Sequence, residues 1–385
     1  MTFDVHALRE REFPWAARGE CVYLNNASTG PLPRRTLEAI GEFNRKRSRP
    51  WEVSDEDQLG VLRRGRELVA RLIGSSPAEV ALMVNTTYGI NVAARCLPLR
   101  PGDVVLAHDR EFPANVYPWA ALERTGIRFV RVPTVDGMPD DAALERAMDG
   151  PGVRAVTTSW VQFATGHRAD LERIGRLCRE RGLYFVVDAI QGLGVTPLDV
   201  RQCGVDVLAC GGQKWLLAPW GSGFVYVKPE LVQSLEPSVV GWMATRGTDD
   251  FTRLVDYDFT WHEDARRFEV ITLPYQDFAG FNESLALLHE LGPAAIAAHI
   301  EGIIDEAVAW TLDRSDLRLV TPADRRQRAG IISIAPRDPP AASERLTRCG
   351  IAHSLREGAI RLSPHCYNTA DEMGRALAIL GGDGH

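Results

Sequence analysis

The sequence predicts an α/β fold: a mostly parallel sheet covered by helices, followed by a smaller α+β region. Between about residues 80 and 227, short apolar runs alternate with amphipathic helical patterns. The runs at 104–107, 128–132 and 153–157 are examples, and the stretch 171–181 has helical spacing. After Pro274, a long helical pattern over 278–291 leads into a region where 330–334 and 359–362 read as strands. The chain has 385 residues, enough for a main domain and a small one. The large unit is expected over residues 20–285. The small one is expected over 286–385, with 1–19 as an arm beside it.

Composition narrows the partners. A net charge of -7 argues against nucleic acid or an anionic membrane surface. The seven cysteines form no C-x-x-C pair, so a metal cluster is not expected and the thiols read as reduced. The opening residues lack the basic end and apolar run of a secretion signal, and no run of 18 apolar residues exists. A cytoplasmic enzyme is the expectation. Residues 45–57, with a basic run and then an acidic one, read as a mobile surface loop.

Lysine usage is the sharpest signal. Only three of the 44 basic side chains are lysines: Lys46, Lys214 and Lys228. Lys46 lies in a basic run and Lys228 follows a strand, so both read as surface charges. Lys214 follows the apolar run 205–210 and the turn Gly211-Gly212-Gln213, and Trp215, Leu216 and Leu217 come after it. A cation in apolar company is costly unless paired or neutralised. A Schiff base with an aldehyde cofactor neutralises it; the alternative is a lysine whose stem is buried and whose head reaches water. Upstream, the apolar run 183–187 ends in Asp188, followed by Ala189, Ile190 and Gln191. Ligands of α/β proteins bind beyond the carboxyl ends of strands, which places Asp188 and Lys214 in one crevice. Pyridoxal 5′-phosphate (PLP) requires this pair, a lysine for the aldehyde and an acid for the pyridine nitrogen. Asp188 alone also reads as an ordinary turn residue.

Further segments fit the same chemistry. Thr86 and Thr87 lie between an apolar run and a helical stretch, which suits a phosphate at a helix start; a simple helix cap is the alternative. Phe112 offers a face for a flat ring. Gln191 can donate to the cofactor's phenolic oxygen. Arg361, between Ile360 and Leu362, has the fork geometry for a carboxylate.

With these segments in order, the chain resembles fold-type I PLP enzymes of the class V aminotransferase family, which includes cysteine desulfurases, kynureninase and isopenicillin N epimerase. The resemblance rests on Tyr23-Leu24-Asn25-Asn26-Ala27-Ser28, Asn85-Thr86-Thr87-Tyr88-Gly89 and Glu111-Phe112-Pro113-Ala114-Asn115. It continues through Val187-Asp188-Ala189-Ile190-Gln191, Gly212-Gln213-Lys214-Trp215, Arg267-Phe268-Glu269-Val270-Ile271-Thr272 and Ile360-Arg361-Leu362-Ser363-Pro364-His365. It implies a seven-stranded, mostly parallel sheet, PLP on Lys214, and Phe112 stacked on the ring. It also implies Arg361 on the substrate α-carboxylate, with Asn26 and Phe163 on the substrate side. The family's usual homodimer, with sites at the subunit interface, is implied as well.

Departures from the family pattern shape the expected reaction. Gln213 stands where desulfurases have His, and Gly211 where they place a phosphate-holding Ser. Gln213, Trp242 and Thr272 are therefore candidates for the phosphate grip, while Ile271 in place of a glycine puts the role of Thr272 in question. The segment 350–358 runs straight into Arg361, with no room for the desulfurase's cysteine-bearing loop, so a persulfide mechanism is not expected. Proton removal at Cα then leads to a β-lyase acting on an S-substituted cysteine or related amino acid as first choice. Transamination comes next, epimerisation or decarboxylating oxidation after it, and a non-catalytic amino-acid-binding protein last. Trp51, Tyr88, Phe163 and Trp242 are candidate walls for the side-chain pocket.

Overall fold

The computed structural model describes residues 3–248, 250–270 and 272–382. Its main sheet has seven strands: β2 (Val80–Met83), β3 (Val104–His108), β4 (Arg128–Val132), β5 (Val153–Ser159), β6 (Tyr184–Asp188), β7 (Val207–Gly211) and β8 (Gly223–Val227). They are preceded in the chain by the two-residue β1 (Val22–Tyr23). The spatial order is β2-β8-β7-β6-β5-β3-β4. Pairing is parallel from β7 through β6, β5 and β3 to β4, whereas β8 runs antiparallel to both β7 and β2. Six carboxyl ends therefore share one edge of the sheet.

The burial pattern explains the strand sequences. β2, β3, β7 and β8 are buried at every residue, which is why they read as unbroken apolar runs rather than alternations. The edge strand β4 exposes Arg128 and Arg131, charges that discourage further strand pairing. The helix Tyr275–Leu291 packs against the helices Arg34–Arg47 and Val61–Ile73.

The C-terminal region holds a four-stranded antiparallel sheet of β9 (Leu317–Leu319), β10 (Ile332–Pro336), β12 (Ser354–Arg356) and β13 (Ala359–Leu362), ordered β12-β13-β10-β9. The separate two-residue strand β11 (Ile351–Ala352) pairs in parallel with β1. Residues 22–23, expected within the large unit, are thus stitched to the C-terminal region. Residues 45–57 form a helix end, a short 3-10 turn over Pro50–Glu52, a short loop and the start of the helical turn Glu56–Gly60, closed by a 2.6 Å contact between Lys46 and Asp57. The basic and acidic runs that suggested a mobile loop are partners in that closure. Lys228 likewise pairs with Asp206 at 3.2 Å.

Candidate active site

The carboxyl ends of β2, β5, β6 and β7 assemble one crevice, and the small sheet faces it. Lys214 stands on the loop after β7. Its ammonium lies 5.4 Å from the centroid of the Phe112 ring. Burial lowers its pKa from the usual lysine range to about 8, opposed by the charge of Asp188 and assisted by Arg361. Asp188, at the last position of β6, is 2% exposed, and one of its oxygens accepts from the Ile190 N–H at 3.0 Å. Burial raises its pKa to about 6, partly offset by that hydrogen bond and by Lys214. A buried acid beside a buried amine is the pairing expected from the strand ends.

Close backbone contact fixes the lysine loop. Gly30 N–H donates to the Gln213 carbonyl at 2.9 Å. A Cβ on Gly30 would lie 2.1 Å from the Lys214 carbonyl oxygen, inside any tolerable contact. Trp215 ties the loop down on its other side: its indole N–H donates to Gln191 Oε1 at 2.7 Å, and its carbonyl lies 2.9 Å from His365 Nε2. His365 Nδ1 accepts from the Cys366 N–H at 2.7 Å, so Nε2 carries the proton. Gly30→Ala is expected to displace Lys214 and cut PLP affinity by at least about tenfold, since overpacking typically costs ~1–3 kcal/mol. A spectroscopic PLP titration checks it.

The phosphate end can be tested against a cradle in the structure. The helix Thr86–Cys96 is capped by Asn85, whose side chain accepts from the Tyr88 N–H at 2.9 Å. Neither threonine is the cap. The first-turn N–H groups of Thr86 and Thr87 remain for an anion, and the helix dipole favours one there. Thr86 Oγ accepts from the Gly211 N–H at 2.9 Å. A Cβ built on Gly211 would lie 2.5 Å from Gln213 Oε1 and 3.2 Å from Thr86 Oγ. Where the family pattern has a serine, this chain fills the space with Gln213. A phosphate at the helix start, an acid at the far end and an amine between them fit PLP.

Arg361 is no surface arginine. It is 2% exposed, donating to the Phe163 carbonyl at 2.8 Å and to Ser28 Oγ at 2.7 Å, while its Nε has no partner. Burial, and secondarily the charge of Arg356, lower its pKa to about 10, so it stays cationic at neutral pH. The Phe163 ring meets Phe112 edge-on at 5.3 Å, which places both rings and Arg361 around Lys214.

Other sequence candidates fall elsewhere. Asn26 is 0% exposed, with its amide spent on the Ser363 carbonyl at 2.8 Å and the Tyr367 hydroxyl at 2.8 Å. It braces the crevice rather than facing a substrate. Gln191 donates to the Ala27 carbonyl at 2.9 Å and accepts from Trp215, so one amide hydrogen is left for a cofactor. Trp242 is 45% exposed and packs on Phe251, and Thr272 is exposed; among the described residues no hydrogen bond, ion pair or ring contact ties either to Lys214, Asp188 or Thr86. Ile271 lies outside the described residues. Trp51 is 80% exposed, and Tyr88 turns into a separate apolar cavity beside Pro237, Val239 and Phe268. Of the four proposed pocket walls, Phe163 alone meets the crevice.

Sequence reasoning passed over Glu111. It accepts from the Ser159 N–H at 2.9 Å, from the Ser159 hydroxyl and from Asn115 Nδ2 at 3.1 Å. This clamps the loop carrying Phe112 onto the end of β5, beside Asp188 in the strand register. The signal was an acid next to the ring-stacking residue. Burial raises its pKa from 4.5 to about 7, against those hydrogen bonds and with a smaller push from Asp188. An acid raised in the fold favours folding below its unfolded pKa, and that contribution is lost as pH rises through about 7. Glu111→Gln is therefore expected to be more stable than the parent at pH 8, by up to about 3 kcal/mol, and not at pH 4. Thermal melts at the two pH values measure it.

The class V aminotransferase family model matches residues 22–375. The chain is 31% identical to isopenicillin N epimerase of Streptomyces clavuligerus, across 93% of this chain and 94% of that protein. It is 30% identical to a probable cysteine desulfurase of Methanothermobacter thermautotrophicus, across 94% and 95%. A solved complex of the cystine C–S lyase C-DES with its product cysteine persulfide superposes with a TM-score of 0.87 at 24% identity, covering 95% of this chain and 98% of that one. An apo cysteine desulfurase from Thermococcus onnurineus does so with 0.86 at 21%, covering 100% and 98%. The chain therefore belongs to the class V aminotransferase family, as a fold-type I enzyme whose cofactor is pyridoxal 5′-phosphate.

Proposed function

We propose that this enzyme is a β-lyase that cleaves the Cβ–S bond of an S-substituted cysteine or a closely related amino acid. The observation that carries this reading is the hairpin leading to Arg361. β12 and β13 are joined by the two-residue turn Glu357-Gly358, both with positive φ, which leaves no loop that brings a cysteine to the crevice. Cys349 is exposed before the hairpin, and Cys366 is buried behind it with its thiol pushed well above the ordinary range by burial. Cys210, near the end of β7, is close enough to Lys214 for the two to interact electrostatically, but it is fully buried and burial pushes its thiol well above the ordinary range. With no thiol on a loop over the crevice to receive sulfur, a sulfur leaving group departs in its own form.

The residues divide the work. Arg361 holds the α-carboxylate with a charge-assisted fork. The amine of Lys214, with its proton affinity lowered by burial, takes the proton from Cα. Asp188 stays ionised against Lys214 and holds a proton at the pyridine nitrogen. Bound PLP supplies the electron sink. Phe112 and Phe163 exclude water from the face above Lys214.

A second copy of the chain is proposed to complete the site. The stretch 220–259 exposes Trp220, Trp242, Phe251, Val255, Tyr257 and Phe259, a concentration of large apolar side chains of the kind that marks interaction surfaces. Light scattering that returns a monomer at micromolar concentration removes this part.

The reaction is tested by supplying amino acids, including S-alkyl cysteines, with no keto-acid acceptor. Sustained pyruvate release supports the lyase. A single stoichiometric conversion of the cofactor, restarted only by a keto acid, identifies an aminotransferase instead.

A further inference from the structure

Arg361 shares its face of the small sheet with a second guanidinium. In the β12–β13 pair, Ser354 stands opposite Arg361, and Arg356 stands opposite Ala359. Residues directly across an antiparallel pair project to one face, as do residues two apart on a strand. Ser354, Arg356 and Arg361 therefore point the same way, with Arg356 roughly 7 Å along the strand from Ser354. This face turns to the crevice: Ser354 Oγ donates to Asn25 Oδ1 at 2.7 Å and lies 3.1 Å from Ser28 Oγ, the hydroxyl that Arg361 also touches.

The two arginines differ in what they hold. Arg361 is buried and spends its terminal nitrogens on Phe163 and Ser28. Arg356 is exposed, donates once to its neighbour Leu355 at 3.0 Å, and pairs with no carboxylate among the described residues. Its charge is close enough to disfavour the protonated forms of both Lys214 and Arg361.

The hairpin sets Arg356 at the mouth of the crevice. Glu357, with φ 47°, and Gly358, with φ 77°, form a tight turn. Glu357 reaches across to Arg110, 3.6 Å away, on the loop that carries Phe112. Arg110 itself has φ 63° and is held through its carbonyl by Gln162 at 2.8 Å. The acid beside Arg356 is thus directed to the opposite rim. Once the α-carboxylate rests on Arg361, the mouth keeps one cation without a counter-charge.

We propose that Arg356 selects amino acids whose side chain ends in a second anionic group, a distal carboxylate in the simplest case. The inference rests on the reading of Arg361 as the α-carboxylate site, and the test separates the two. Holoenzyme is titrated calorimetrically with glutarate, which has two carboxylates, and with butyrate, which has one. Wild-type protein is expected to bind glutarate more tightly, and Arg356→Gln to weaken glutarate roughly 10- to 100-fold and butyrate far less. Arg361→Gln is expected to weaken both. Unchanged glutarate affinity in Arg356→Gln, or no preference for glutarate in the wild type, overturns the proposal. Unchanged affinity for both ligands in Arg361→Gln overturns the carboxylate reading beneath it. In turnover, Arg356→Gln should lose far more kcat/KM on S-carboxymethylcysteine than on S-methylcysteine; equal loss on the two substrates contradicts the proposal.

Discussion

Lys214→Ala is expected to abolish measurable turnover while leaving the fold intact. The buried side chain lies beside Phe112 and within electrostatic reach of Asp188, and it makes no hydrogen bond that the scaffold needs. On the reading proposed above, its loss removes both the covalent anchor for the cofactor and the base at Cα. Proton transfer by a positioned side chain is worth roughly 10^2- to 10^4-fold, and the lost covalent step adds to this. Stopped assays measure the rate, and a thermal melt within a few degrees of the parent shows that the scaffold survives. The same amine gives the site a pH signature. With its pKa lowered to about 8, the neutral form that attacks an aldehyde is scarce at pH 6 and dominant at pH 9. Capture of PLP by the apoprotein is expected to speed up through pH 8 and level off above. A flat profile contradicts the burial argument.

Arg361→Gln is the second large effect. The arginine is buried, keeps an unpartnered Nε, and is fixed by Ser28 and the Phe163 carbonyl. Losing the proposed charge-assisted grip on the α-carboxylate is expected to cost about 1.5–3 kcal/mol, or roughly 10- to 100-fold in KM, with a smaller change in kcat. Ser28→Ala, which removes one of its two supports, is expected to show a weaker form of the same KM effect. A fall in kcat at constant KM would assign Arg361 to a step after binding.

Much of this crevice was legible because its candidate residues sit at strand ends. Asp188 and Lys214 announced themselves as charges that close apolar runs, and the parallel sheet brings those ends together. Arg361 was legible from its apolar neighbours, since Ile360 and Leu362 are both buried. The small sheet was only partly legible. β9 and β12 are three residues each, too short for a periodicity, and β12 exposes two of its three residues. The buried setting of Asn26 and the clamp made by Glu111 were not legible for one reason: a motif names a segment but not which side chain turns inward. Asn26 spends its amide on Ser363 and Tyr367 across more than three hundred residues of chain, a pairing that local spacing does not encode. Trp242 and Thr272 face outward within one copy, so their part in any phosphate grip depends on the second copy proposed above.

The account stands on Lys214 as the residue that carries the cofactor, and the scarcity of lysine makes this simple to test. Holoenzyme is reduced with borohydride, which fixes PLP to the amine that holds it, then digested and mapped by mass spectrometry. The chain has only three lysines, so the outcome is unambiguous. The phosphopyridoxyl group is expected on the peptide containing Lys214 and on no other. Label at Lys46 or Lys228, or none at all in protein that carries the cofactor, would contradict the assignment.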